Sequence, residues 1–575
     1  MKIIYGLIYQ MDKTMQFLYL FYVSAIIVLI VLHHFLKKHI RLWTGLCCVP
    51  LLFFGLFLLK EGYRGDAELT IMRYVAYGIV SLLIALWGLA MLLKRSFKAY
   101  TIILSVTTVI ILFLSILSIW AVWLRPNVTN YSHYGWTESF EGAIDTMEKY
   151  YVLNEWKDID YDKIRNELIP KVKDAEKRGD ELDYIIALYE LKYEFGDGHV
   201  TVRGNSGKRD AAMERYAGND YGFSLFRTEE GQIIAICVDK EADCYKKGIH
   251  NGTVITKWNG VPVNQAADKV KCLDRNYSFQ TKENIYIAQP IFLAGQGGNR
   301  LSVGYINDMG HEETAMLDGR GEYIDRRTEV LRTLFGDNVI LGDNYSTRML
   351  DENVGYLRVN EEEYSTDPMF VARSTISGFS QEMYDDLDRR LSEMRKNGMD
   401  RIIIDVRNND GGNGFESRTI ASLFTANPLS YNLAIYKDGD YKVLIRAKHE
   451  NRAKYNDIPI VVLVNGQTCS AGEEIVHYLK GSPNVTVIGN TGTWGNAQGT
   501  GGSVVLSDSK YELRFPITPT VDDSNLPIVD TKGNRVSRLK LDHQITYTKE
   551  EAIEFFEHPN DDMVLDEAIE YIKQQ

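Results

Sequence analysis

The sequence predicts two structural classes in one chain. A head of four membrane-spanning helices precedes a body whose core is α/β, built on a parallel sheet, with a helical cap and an inserted β domain. Three observations predict this. Four apolar runs of near-spanning length lie within the first 124 residues. Those residues carry 11 Lys/Arg against 4 Asp/Glu, while the whole chain stands at −13, so the body holds an acidic surplus of 20. Beyond residue 320, uninterrupted apolar runs such as "RIIIDV" and "IPIVVLV" alternate with helical patterns, as strands buried on both faces do.

The head comes first (residues 1–124). Its runs, 15–36, 42–59, 74–93 and 100–124, each approach the ~20 residues that cross a hydrocarbon core as a helix. The first is too long for a signal peptide and lacks a small-residue cleavage site. Lys37, Lys38 and Arg41 fill the first connection, and Lys94, Arg95 and Lys98 the third. Short basic loops stay cytoplasmic, so the chain is expected to be multi-pass in a lipid bilayer with its body extracytoplasmic. A polar linker, 125–137, follows. The six cysteines form no disulfide-dense pattern, although Cys237 and Cys244 could pair outside the cell. Without a CxxC or a His/Cys cluster, no metal and no cofactor are expected. The acidic body argues against a nucleic-acid partner.

Residues 138–212 show apolar positions three and four apart in "FEGAIDTMEKYYV", "YDKIRNELIPKVKDAEKR" and "ELDYIIALYELKYEF", the pattern of packed helices, and this cap runs out through "GDGHVTV". From 213 to 320 the pattern changes to short strands and turns: "YGFSLF", "GQIIAICV", "GTVITKWNG" and "LSVGYI". Within it, "CVDKEADCYKKGIHNGTVITKWNGVPV" resembles a PDZ domain. Tyr221, Gly222 and Phe223 of "DYGFSLF" then stand where such domains carry the loop that receives a peptide's terminal carboxylate. Residues 321–575 form the α/β core, in which "NNDGG" and "CSAGE" both follow buried strands. Reactive groups gather at such carboxyl ends.

Ser470 lies in "NGQTCSAGEE", between an apolar strand and a helical pattern. Its hydroxyl can cap that helix, or it can act as a nucleophile if a base reaches it. Lys480 sits ~15 Å further along the helix axis and His477 ~10 Å, too far to serve it. Cys469 points to the other side of the corner. His199, in "FGDGHVTV", occupies a helix-to-strand corner between glycines that leave the backbone free to turn. A neutral imidazole there can take and return a hydroxyl proton; the plainer alternative is an exposed turn histidine.

With these motifs in their order, residues 138–545 resemble the C-terminal processing (tail-specific) peptidase family: "DGHV", the PDZ-like segment, "VGYLRV", "IIDVRNNDGG", "VLVNGQTCSAGEE", "VIGNTGTWG". The resemblance implies Ser470 as nucleophile and the backbone amides of Ala471, Gly411 and Gly412 as its oxyanion hole. One form of the family uses a lysine about two dozen residues after the serine; that register here, Thr493 to Ala497, has none. The other form, resembling tricorn protease and interphotoreceptor retinoid-binding protein, carries a histidine in "DGH", which implies His199 as base. That branch places a glutamate before a Pro-Asp pair. Here Leu541 replaces the proline before Asp542, and the glutamate register falls on Arg535 or Ser537, which leaves Asp197 as the candidate orienting acid. The implied function is a membrane-anchored, extracytoplasmic serine endopeptidase acting on polypeptides whose tails engage the PDZ-like domain. The alternative is a catalytically inactive protein that binds peptides or apolar ligands on the same fold.

Overall fold

The computed structural model describes parts of residues 28–93 and, from residue 128 on, all but 338–341, 428, 438–439 and 450–451. It divides into two units, residues 1–130 and 131–575.

In the first unit the helix Ile40–Cys47 packs on the helix Ala67–Leu92. Trp43 meets Trp87 edge to face with ring centroids 5.2 Å apart, and Thr44 Oγ1 donates to the Gly88 carbonyl at 3.0 Å. The four-span head and the multi-pass placement are corrected here: among the described residues no helix is long and apolar enough to cross a membrane. The eight-residue helix rises only ~12 Å against a hydrocarbon core of ~30 Å. Part of the apolar pattern that suggested spans is instead used in packing, with Val80, Ile84 and Trp87 buried. The run 100–124 and most of 15–36 lie outside the described residues.

The second unit is organised by one sheet. Strand β1 (Tyr345–Met349) runs antiparallel to β2 (Val354–Val359). From β2 on, β3 (Arg401–Asp405), β4 (Ile460–Leu463), β5 (Val485–Gly489) and β6 (His543–Gln544) add in parallel, each beside its predecessor in the chain. Crossovers that all advance one way, with the usual right hand, place their helices on one face. Ile402, Ile404 and Val462 meet Leu387, Ile420 and Ile475 there. Ile403, Val461 and Leu463 alternate to the other face, where the helix Met563–Lys573 covers them with Val564, Ala568 and Ile572. Burial on both faces is why residues 402–404 and 460–463 are apolar at every position.

Three helices, Trp136–Tyr150, Tyr161–Arg178 and Glu181–Phe195, make the cap. Asp160 and Asp180 cap the second and third by accepting the Lys163 and Asp183 amides. The third helix ends at Gly196, whose φ of +52° turns the chain sharply into Asp197–His199. The strand Thr201–Gly204 then pairs with Tyr511–Thr518 and ties the cap to the core.

The inserted β region holds the hairpin Ser224–Arg227/Ile233–Ile236 and a sheet containing Ile255–Trp258, Arg300–Ile306 and Glu312–Asp318. Tyr221 and Phe223 are only 2% and 1% exposed and belong to its apolar core, while the Gly222 amide donates to Asp220 Oδ1 at 2.8 Å. All six cysteines are free. Cys244 is buried in that same core, against the backbone at Gly222.

Candidate active site

The site is assembled from two corners at the carboxyl ends of β3 and β4. Asn and Thr side chains staple them together. The Asn465 carboxamide oxygen accepts the Asn408 amide at 3.0 Å, and its nitrogen donates to Asn408 Oδ1 at 2.6 Å. Thr468 Oγ1 donates to the Val406 carbonyl at 2.7 Å, and the Cys469 amide donates to the Asn409 carbonyl at 2.9 Å. These bonds satisfy backbone groups that neither strand nor helix can reach.

Ser470 emerges from this junction with φ +52° and ψ −118° and opens the helix Ala471–Leu479. Such a left-handed conformation is strained for a residue with a Cβ, by about 1–3 kcal/mol. It is the backbone shape of a serine thrust out of a strand-to-helix turn. Glu473 braces it: the carboxylate accepts the Ser470 amide at 3.2 Å and the Gly495 and Asn496 amides at 2.5 and 3.0 Å. Burial pushes Glu473 up to about 8 against the pull of these donors.

Gly411 faces Ser470 so closely that a methyl group on it would lie 2.7 Å from the Ser470 Cβ and 3.1 Å from the Ala471 amide nitrogen. Its φ of +91° also favours glycine. The Gly411 amide itself is engaged, donating to Asn409 Oδ1 at 2.8 Å, while Asn409 Nδ2 donates to Glu362 Oε1 at 2.9 Å. A methyl at Gly412 would lie 2.4 Å from the Glu362 carbonyl oxygen. Glu362 is wholly buried and is pushed up to about 8.

The His199 loop meets this corner from the cap. Gly198 packs against the Trp494 indole, where any side chain would collide, and the Trp494 amide donates to the Thr468 carbonyl at 2.9 Å, two residues before Ser470. The imidazole lies against the Gln498 carbonyl and within the field of Asp410, the residue that precedes Gly411. Burial lowers its pKa; Asp197, the Gln498 carbonyl and Asp410 oppose that shift, and Lys157 adds to it. Nδ1 of His199 is buried without a hydrogen-bond partner. Asp197 uses both oxygens elsewhere: Oδ1 accepts the His199 backbone amide at 2.8 Å and Oδ2 the Tyr151 hydroxyl at 2.6 Å. It therefore fixes the loop.

Cys469 is a poor rival. Its thiol donates to the Asp410 carbonyl at 3.1 Å, and burial, with Asp410 and Glu473 nearby, pushes its pKa well up. N-ethylmaleimide at pH 7 should leave it unmodified in the folded chain, as read by mass spectrometry; rapid alkylation would make it a competing nucleophile. Asp542 pairs with Lys480 at 2.7 Å and accepts the Val487 amide, a structural tie. Arg535 donates to the Tyr193 and Phe279 carbonyls. The sequence reading overlooked Asn409, Glu473, Asp530 and Lys157. The first two lie in the motifs already singled out, whereas Asp530 and Lys157 sit in loops with no pattern to mark them.

Residues 370–533 match the family model described as Peptidase family S41. The chain carries a peptidase family S41 domain. Ser470, Gly411 and Asp530 fall inside this domain, and His199 and Lys157 outside it. The carboxy-terminal processing protease CtpA of Bacillus subtilis (strain 168) is 33% identical over 116 residues, 20% of this chain and 24% of that protein. Among solved structures, mature CPAF is similar with a TM-score of 0.46 and 12% identity, over 74% of this chain and 95% of its own. The photosystem II D1 C-terminal processing protease has a TM-score of 0.30 and 15% identity, over 72% and 94%. Likenesses of this size carry no weight on chemistry.

Proposed function

We propose that the chain is a serine-type endopeptidase that hydrolyses polypeptides, with Ser470 as nucleophile and His199 as general base. Ser470 Oγ attacks the scissile carbonyl carbon while the imidazole takes its proton. The tetrahedral oxyanion is held by the backbone amides of Ala471 and Gly412. The Gly411 amide joins them once it is released from Asn409 Oδ1. His199 returns the proton to the leaving amine, and water cleaves the acyl-enzyme by the same steps in reverse. Substrate tails engage the inserted β region by adding a strand.

The observation that carries the reading is the strained left-handed backbone of Ser470 at the carboxyl end of the sheet, pressed against Gly411. The S41 domain supports it. A fluorophosphonate probe tests it. The folded chain should gain one phosphonyl group on Ser470, and Ser470→Ala and His199→Ala should not. Absence of labelling in the folded wild type would favour a ligand-holding protein without turnover, and labelling that survives Ser470→Ala would displace the nucleophile.

A further inference from the structure

Lys157 lies in the loop between the first two cap helices and is 4% exposed. Its ammonium donates to the Gly196 carbonyl at 2.7 Å and to Thr531 Oγ1 at 2.9 Å. It thus ties the glycine that starts the His199 loop to a segment of the core more than three hundred residues away in sequence. The groups facing it are Asp197, Asp530, Glu473 and Arg535. Asp197 and Asp530 are 1% and 0% exposed.

Two routes lead from this ammonium to the imidazole. On one, Asp197 holds the His199 backbone amide at 2.8 Å. On the other, Asp530 Oδ2 accepts Gln498 Nε2 at 2.6 Å and the Ala497 amide at 3.2 Å, and the Gln498 carbonyl lies against the imidazole. The neighbouring residue reinforces the second route, since Trp156 Nε1 donates to the Asp530 carbonyl at 3.0 Å. Gly533 closes over the loop; a methyl there would lie 2.5 Å from the Lys157 carbonyl oxygen. Buried carboxyl groups are costly without a counter-charge, and Lys157 is a buried cation whose charge acts on both.

We propose that Lys157 is a positioning residue for His199: its buried ammonium clamps the loop that carries the imidazole and offsets the negative field of Asp197 and Asp530. The proposal rests on the reading of His199 as general base. The charged groups that act on that imidazole are Asp197, Lys157 and Asp410. Removing the ammonium leaves the two carboxylates unopposed and favours the imidazolium, so the base is lost to protonation at a higher pH.

The test is the rate of fluorophosphonate labelling of Ser470 as a function of pH, in the full chain. It needs no known substrate. Lys157→Met should slow labelling about 10–100-fold at neutral pH and move the acid limb up by about one pH unit. Lys157→Arg, which keeps the charge, should restore the limb towards its original position. Asp197→Asn removes a carboxylate that acts on the imidazole and should move the limb down, so the proposal stands on a shift of opposite sign even where Lys157→Met fails to fold. Slower labelling with an unmoved limb in both variants would make Lys157 a structural residue only and overturn the proposal. Absence of labelling in the wild type would instead remove the reading on which it rests.

Discussion

Ser470→Ala should lower kcat for hydrolysis of an unfolded polypeptide such as reduced casein by about 10⁶-fold, and His199→Ala should cost nearly as much. The double variant should be no slower than the worse of the two. A hydroxyl and the base that serves it act as a unit, so removing either forfeits the same proton transfer. Effects that multiply would mean that His199 acts elsewhere, through its loop and not through Ser470. The pH profile adds a second check. The His199 pKa is held below its ordinary value by burial, so the acid limb of kcat/KM should have its midpoint below about pH 6.5. An acid limb at or above pH 7 would point to a different group.

Asp405→Ala should destabilise the second unit by about 3–5 kcal/mol in urea unfolding. Asp405 ends β3 and is wholly buried. Its oxygens accept Arg407 Nη2 at 2.7 Å, Arg358 Nη1 at 2.8 Å and the Tyr356 hydroxyl at 2.8 Å. Truncation leaves Arg358 without its carboxylate and Arg407 with Asp562 alone, in a site from which water is largely excluded. Burial alone would raise the Asp405 pKa, but Arg407 and Arg358 outweigh it and hold the carboxyl well below the usual range. The sign follows from linkage. A depressed folded-state pKa gives stabilisation that is complete above the unfolded value of about 4 and is lost as pH falls towards the folded one. The wild type should therefore lose stability below about pH 4, and the variant should lose less over that range. An alanine variant within 1 kcal/mol of wild type, with unchanged acid sensitivity, would show that the three partners reorganise without it. Because Asp405 leads directly into the Asn408–Gly412 corner, any loss should also appear as slower labelling of Ser470.

The parallel sheet was legible because burial on both faces forces apolar residues at every position of "III" (402–404) and "IVVL". The corners were legible because glycine and asparagine report backbone shapes that other residues resist, as at Gly411 and Asn408. The head was misread for the complementary reason. An apolar run states that its side chains avoid water, not whether protein or lipid covers them. In the described helices there, Trp43 packs on Trp87, and Val80 and Ile84 are buried. Likewise "DYGF" suggested an open carboxylate loop, whereas Tyr221 and Phe223 turn inward and Asp220 occupies the Gly222 amide.

By itself the sequence determined the alternation of strands and helices and the serine corner with its glycine partner, since both follow from local pattern and backbone preference. Only the tertiary structure decided which groups surround His199. Lys157, Gln498 and Asp530 come from loops far apart in the chain, and the cost of burying polar and charged groups, which brings them together, leaves no periodic trace in sequence.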